Sequence, residues 1–312
     1  MSVPRDDSRG MFDVVDKVDT LREATAQAVV RIAPLTSKLI KEGNTPKGNI
    51  FDAARVAATL AAKKTSDLIP YCHPIPIDDV KLHFTLNEND YLIEIKAQVK
   101  TVWKTGVEME ALAAASVASL TIYDMLKPID ESLSIESLKV LEKQGGTKNL
   151  QHHLPGQLTA AVLVTSDSRG YKEDKSGKFI INRLKENGFE VVDYKVVADD
   201  FEKIESGLKR YCDELRVNLV VTTGGTGVGP RDITPDVTRK VIQKELTGVG
   251  EALRSYGQRR TPASMLSRGI SGVREKTLIV NLPGSIRAVS QSLNSMFPGL
   301  FHVFDLLEGR GH

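Results

Sequence analysis

The 312-residue chain has few cysteines, few aromatics and almost no charge excess. Its two cysteines, Cys72 and Cys212, cannot build a disulfide framework or a paired-thiolate zinc site, and they fit a reducing, cytoplasmic setting. With 42 basic and 40 acidic side chains the net charge is +2, which points to no nucleic-acid partner and no acidic membrane surface. Any basic patch must be local and matched to a small anion. No run reaches the ~18 apolar residues that a membrane span needs. The opening "MSVPRDDSRGMFDVVDK" has no apolar stretch behind its charges, so it does not read as a secretory signal.

What is there divides in two. The length suggests two domains, and the polar "TKNLQHHLPGQL" around Pro155 and Gly156 reads as a linker. The expected division is residues 1–147, a linker at 148–157, and residues 158–312. In the first part, "TLREATAQAVVRIAPLTSKLIKEG" reads as a helix kinked at Pro34, and "NIFDAARVAATLAAKKTSD" as a second helix capped by Asn49. The alternation in "DDVKLHFTLN" and "DYLIEIKAQVKTV" predicts a hairpin. A long helix follows over Gly106 to Lys127, and "LSIESLKVLEKQGG" is a last strand. The fold class expected is α+β, an antiparallel, ferredoxin-like sheet with helices on one face. The second part alternates strands and helices, which predicts an α/β doubly wound, mostly parallel sheet. Its strands begin "LTAAVLVTS", "FEVVDYKVVA", "NLVVTTGG" and "KTLIVNLPG".

Ligands of a doubly wound sheet bind outside the carboxyl ends of its strands. Those ends here carry "SDSRG", "ADD", "GGTGVGPRDITPD" and "LPGS". The glycine run is neither a P-loop nor a dinucleotide fingerprint, and a glycine turn after a strand is often only a turn. It gains weight from Asp199 and Asp232, since bare carboxylates beside a phosphate would repel it unless Mg²⁺ bridged them. Asp236 has a plainer use, capping a helix beside Pro235.

The long helix of the first part raises a different question. It is apolar on most sides yet carries Glu108, Glu110 and Asp124, with Lys127 at its end. Glu110 and Asp124 are 14 residues apart and share a face, but they stand ~21 Å apart along the axis. One small ligand within one subunit can hardly touch both, so the site is expected to be shared between copies of a homo-oligomer. Lys47 at a helix entrance, Lys63, Lys127 and Arg22 form a cationic set. Asp124, Glu108, Glu110 and His73 offer acid–base capacity. Together they suit a triphosphate undergoing proton transfer. Each also has a plain alternative: solvated lysines, a surface ion pair between Asp124 and Lys127, and a packed thiol and imidazole at Cys72 and His73.

Two resemblances sharpen this. "KGNIF", "AAKKTSDLIPYCHP", "KTGVEMEALAAASVASLTIYDMLK" and "QGGTK" resemble cyclic pyranopterin monophosphate synthases, the MoaC family, over about residues 11 to 148. The resemblance implies a hexamer with interfacial sites that converts 3′,8-cyclo-7,8-dihydro-GTP into cyclic pyranopterin monophosphate and pyrophosphate. It implies Asp124 as general acid/base with Lys127 as its partner, and Lys47 and Lys63 on the phosphates or the guanine-derived ring. Tyr71, Cys72, His73, Met109 and Glu110 would line the pocket. Asn49 stands where relatives often carry Asp. "DKSG", "TTGGTGVGPRDITPD", "GVGEALR", "LSRGISGVR" and "NLPGS" are similar to the MoaB/Mog family of molybdenum-cofactor biosynthesis over most of residues 158 to 309. That implies adenylylation of molybdopterin with ATP and Mg²⁺, neither held tightly. The phosphates would sit on Gly224, Gly225, Thr226, Gly227 and Gly229, with Asp199 and Asp232 as catalytic acids and Ser285 near the pterin phosphate. The alternative for this half is a pterin-binding or oligomerisation module without turnover.

Overall fold

A computed structural model describes residues 10–146, 156–167, 170–297 and 299–310. The chain forms two compact units, Met1–Asn149 and Leu150–His312. The expected linker lies largely outside the described residues.

The first unit runs β1 (Thr20–Arg31), α1 (Pro34–Lys41), α2 (Ile50–Lys63), α3 (Thr65–Leu68), β2 (Asp79–Asn87), β3 (Leu92–Trp103), α4 (Glu108–Leu126) and β4 (Ser134–Gly145). Its sheet has the order β2-β3-β1-β4 with every pair antiparallel. That order, from a βαββαβ chain, is the ferredoxin-like arrangement. The expected opening helix is wrong for residues 20–31, which form a strand, and Pro34 starts α1 rather than kinking a longer helix. The physical reason is a period of two hidden by small side chains. Ala24, Ala26, Ala28 and Val30 are fully buried, while Thr25, Gln27 and Val29 between them are not. Alanine favours helix by propensity, but here a central strand uses it to admit close helices. Ala54 and Ala58 of α2 and Ala111, Ala114, Ala115 and Ala118 of α4 are equally buried in the same core. Arg22, read as helical, therefore lies on β1.

By length and apolarity alone α4 could cross a membrane, yet half of that stretch is buried inside the protein. It serves as the core helix of the first unit.

The second unit runs β5 (Leu158–Thr165), α5 (Lys175–Glu186), β6 (Phe189–Val197), α6 (Phe201–Lys209), β7 (Leu219–Thr223), α7 (Thr234–Val241), β8 (Lys244–Glu245), α8 (Thr247–Gln258), β9 (Ser271–Arg274), β10 (Thr277–Leu282), α9 (Ile286–Met296) and α10 (Phe301–Leu307). The sheet order is β6-β5-β7-β10-β9-β8. The first four strands are parallel; β9 and β8 add an antiparallel edge that the alternation did not predict. Buried residues of β7 and β10 alternate between two cores, Leu219, Val221, Leu278 and Val280 on one face and Val220 and Ile279 on the other. The chain leaves β5 for β6 on one side and returns to β7 on the other. The carboxyl ends of β5 and β7 thus frame the switch-point crevice where ligands of such sheets bind.

Candidate functional site

In the first unit the structure gathers three of the expected residues. Lys127 Nζ lies 2.7 Å from Asp124 Oδ1, and Lys47 Nζ lies 2.8 Å from Oδ2 and 2.9 Å from the Asp124 carbonyl oxygen. Asp124 and Lys127 meet because they are three apart at the end of α4. Lys47 arrives on a turn fixed by Gly48 at a φ of +85° and by Asn49, whose side chain accepts from the Phe51 and Asp52 amides. Lys127 first, then Lys47, pulls the Asp124 carboxyl down to about 2, so it is ionised at any physiological pH.

The opposite end of α4 behaves differently. Glu110 is only 3% exposed, and its Oε2 has no hydrogen-bond partner among the described residues. Burial pushes this carboxyl up to about 7, against a backbone hydrogen bond at the helix start and with help from Glu108. Cys72 lies near enough that burial first, and then Glu110, raises its thiol. Glu108 pairs with Lys143 at 3.3 Å and faces Arg22. Arg22 donates to the carbonyls of Trp103 and Lys104 at 3.4 and 3.3 Å, so its guanidinium ties β1 to the end of β3. Tyr71 and Met109 expose their side chains, His73 Nε2 sits 2.8 Å from the Phe12 carbonyl oxygen, and Lys63 ends α2 facing solvent. Within one chain the expected residues thus fall into separate groups, with the Lys47–Asp124–Lys127 cluster at one end of α4 and Glu110 with Cys72 at the other.

In the second unit the glycine loop turns at Gly224 and Gly225, both with positive φ. A side chain could not replace the hydrogen on Gly225, since a Cβ there would stand 2.9 Å from Asp199 Oδ1. Asp232 folds back over the loop and accepts from the Gly229 amide at 2.7 Å. Asp199 keeps its Oδ1 buried and without a hydrogen bond among the described residues. Burial, then Asp167, then Asp232 raise its carboxyl, while a hydrogen bond with Thr165 opposes them. Asp167 holds this corner together. It accepts the Asp199 amide at 3.0 Å and the Arg231 guanidinium at 2.9 Å. Asp236 caps no helix; it pairs with Arg268.

Beside the loop opens a cavity of about 260 Å³, walled by Gly250 and Arg254 of α8, Ser264 and Ser267 beyond it, and Ser285 and Gln291 of α9 and its cap. Ser285 Oγ also accepts from the Ala288 amide at 3.3 Å, so one hydroxyl both caps α9 and faces the cavity. Gly284 packs against the Cα of Gly224, which puts the cavity and the loop side by side. No cage of three or more His, Cys, Asp or Glu side chains occurs among the described residues. Two oxygen-donor carboxylates, one with an orphaned buried oxygen, do fit Mg²⁺, which is usually held by one or two carboxylates together with substrate phosphates.

Residues 11–146 match the MoaC family, and residues 161–302 match the probable molybdopterin binding domain. A molybdenum cofactor biosynthesis bifunctional protein of Chlorobaculum tepidum is 38% identical over 304 residues, spanning 97% of this chain and 96% of that protein. One from Synechococcus elongatus is 38% identical over 316 residues, spanning 97% and 98%. The chain belongs to the family of bifunctional molybdenum cofactor biosynthesis proteins. Its first unit, the synthase unit, is also similar to the cyclic pyranopterin monophosphate synthase of Thermomicrobium roseum, 48% identical over 143 residues, spanning 45% of this chain and 86% of that one.

Several residues of this bifunctional protein had no signal that would single them out. Asp167 was visible only as one polar residue after a strand. Arg231 and Arg268 stand in no pattern that marks them, and Lys143 is one of two lysines on β4. The cavity wall depends on α8, an element the glycines of "TGVGEALRSYGQ" concealed.

Proposed function

We propose that the synthase unit converts 3′,8-cyclo-7,8-dihydro-GTP into cyclic pyranopterin monophosphate and pyrophosphate, with Asp124 moving the proton. The observation that carries this is the Lys47–Asp124–Lys127 cluster. Two ammonium groups hold Asp124 ionised before substrate arrives, and its basicity rises once they leave it. The same lysines are free to trade the carboxylate for a phosphate as the substrate enters. Cys72, Glu110, Met109 and Tyr71 line the pterin side of the pocket, with His73, Lys63 and Arg22 completing it. Since Glu110 and Asp124 stand ~21 Å apart along α4, each site takes its two ends from different subunits. Leu120 and Tyr123 on α4 and Val56 and Leu60 on α2 are exposed apolar side chains suited to such an interface, and a hexamer is the assembly proposed. Cys72 and Cys212 are both free thiols, which suits the cytoplasm. Incubating the full chain with the cyclised dihydro-GTP and following pyrophosphate should show turnover. Asp124→Asn should lose at least about 10²-fold of it while the assembly elutes unchanged; near-normal pyrophosphate release by that variant would remove Asp124 from the chemistry.

For the second unit the reading is adenylylation of molybdopterin. Its terminal phosphate would attack the α-phosphorus of ATP and release pyrophosphate. The cavity beside Ser285 takes the pterin, and the amides of Gly224 to Gly229 take the nucleotide phosphates. Mg²⁺ held by Asp199 and Asp232 would neutralise phosphate charge and polarise the phosphoryl group under attack. AMP transfer to molybdopterin with ATP and Mg²⁺ should be lost in Asp232→Ala. Pterin binding without any transfer by the native chain would instead make this unit a binding module.

A further inference from the structure

One residue bonds the glycine loop, the segment that follows it and α7. The Arg268 backbone amide donates to the Thr226 carbonyl oxygen at 2.8 Å, inside the loop. Its Nη1 donates to the Asp232 carbonyl oxygen at 3.0 Å, and its Nη2 pairs with the Asp236 carboxylate on α7. The residues on either side of it, Ser267 and Gly269, line the cavity. The far side of this segment is also pinned. The Gly269 carbonyl oxygen accepts from Arg254 Nη1 at 2.8 Å. The next residue, Ile270, exchanges hydrogen bonds with Asn281, whose side chain in turn donates to Thr222 and Thr238. A stretch of three residues is therefore bolted to the cavity wall by its ends and to the glycine loop by its middle.

We propose that Arg268 is a positioning residue that couples the two sites, so that a pterin in the cavity tightens nucleotide binding on the loop. This rests on the adenylylation reading of the unit. Each ligand bears on the same short segment, so the placement of it that one ligand favours is already made when the second arrives. The coupling is reciprocal, as linkage requires. In this reading Arg268 acts through its neighbours: its bonds run to the loop, to the Asp232 carbonyl oxygen and to α7.

The test titrates the full chain with α,β-methylene-ATP and Mg²⁺, with and without saturating molybdopterin, under anaerobic conditions. In the native chain molybdopterin should tighten nucleotide binding at least about fivefold. In Arg268→Met the factor should fall below about twofold, while each ligand alone binds within about threefold of the native value. Arg268→Lys, which keeps a cation for Asp236, should recover part of the coupling. A native factor of one, or full coupling in Arg268→Met, overturns the proposal. If Arg268→Met does not fold in thermal unfolding, Asp236→Asn decides, because it removes only the ion pair, and undiminished coupling there also overturns it. Absence of any nucleotide binding by the native chain would instead overturn the adenylylation reading itself.

Discussion

Two carboxylates on one helix titrate in opposite directions. Asp124 is solvated, and its neighbouring lysines win, holding it near 2. Glu110 lies in the first turn of the same helix, where the positive end of the dipole favours its ionised form, but burial with one oxygen unpartnered among the described residues outweighs that and holds it at about 7. The sequence shows three carboxylates on α4, with Lys127 just past its end, and their spacing; it cannot show which end is covered, because that depends on how the rest of the unit packs around Glu110. The stability consequence has a definite sign. The folded carboxyl binds its proton more tightly than the unfolded one, whose ordinary value is 4.5. The folded state therefore holds more protons between these two values, and stability falls as pH rises from about 4.5 to about 7. Over that range the synthase unit should lose up to ~3 kcal/mol from this group. Glu110→Gln removes the titration, so urea unfolding at pH 5 and pH 8 should give a smaller difference in the variant than in the native protein. Equal slopes in both would mean Glu110 is not the group responsible.

At the scale of elements, what was legible followed side-chain size and capping. The long helix α4 and the parallel strands of the second unit read as apolar runs of the right length, and the hairpin of β2 and β3 shows a clean period. β1 does not, because alanines serve both a helix and a tightly packed central strand, and only the helices lying on it decide between them. α8 fails for the converse reason. Its glycines cost a helix about 1 kcal/mol each relative to alanine, but at Gly250 a Cβ would crowd Arg254 and the Gly269 carbonyl. Close packing against the cavity wall requires the glycine that local propensity penalises. The Asn49 cap was legible and is present, and it has a measurable share in the site. Its Oδ1 accepts from two amides at 3.0 and 3.2 Å, and Lys47 lies two residues before it. Asn49→Ala should destabilise the synthase unit by about 1 kcal/mol in denaturant unfolding. It should also weaken substrate binding more than it lowers kcat, since it loosens the turn that presents Lys47. Asn49→Asp, an equally good cap with a charge suited to a helix start, should keep both.

At the scale of the whole molecule, each unit has its own core and its own candidate site, so single substitutions should silence one activity and spare the other. The composite site proposed for the synthase unit allows a sharper test. If Asp124 of one subunit works with Glu110 of another, two inactive variants can repair each other. Asp124→Asn and Glu110→Leu, the latter keeping an apolar side chain of similar size in the core, should each be nearly inactive alone. Dissociated, mixed in equal amounts and reassembled, they should regain about a quarter of native turnover, the fraction of interfaces in which both intact residues meet by chance. A site contained within one subunit would give no recovery at any mixing ratio, because every chain in the mixture carries one lesion.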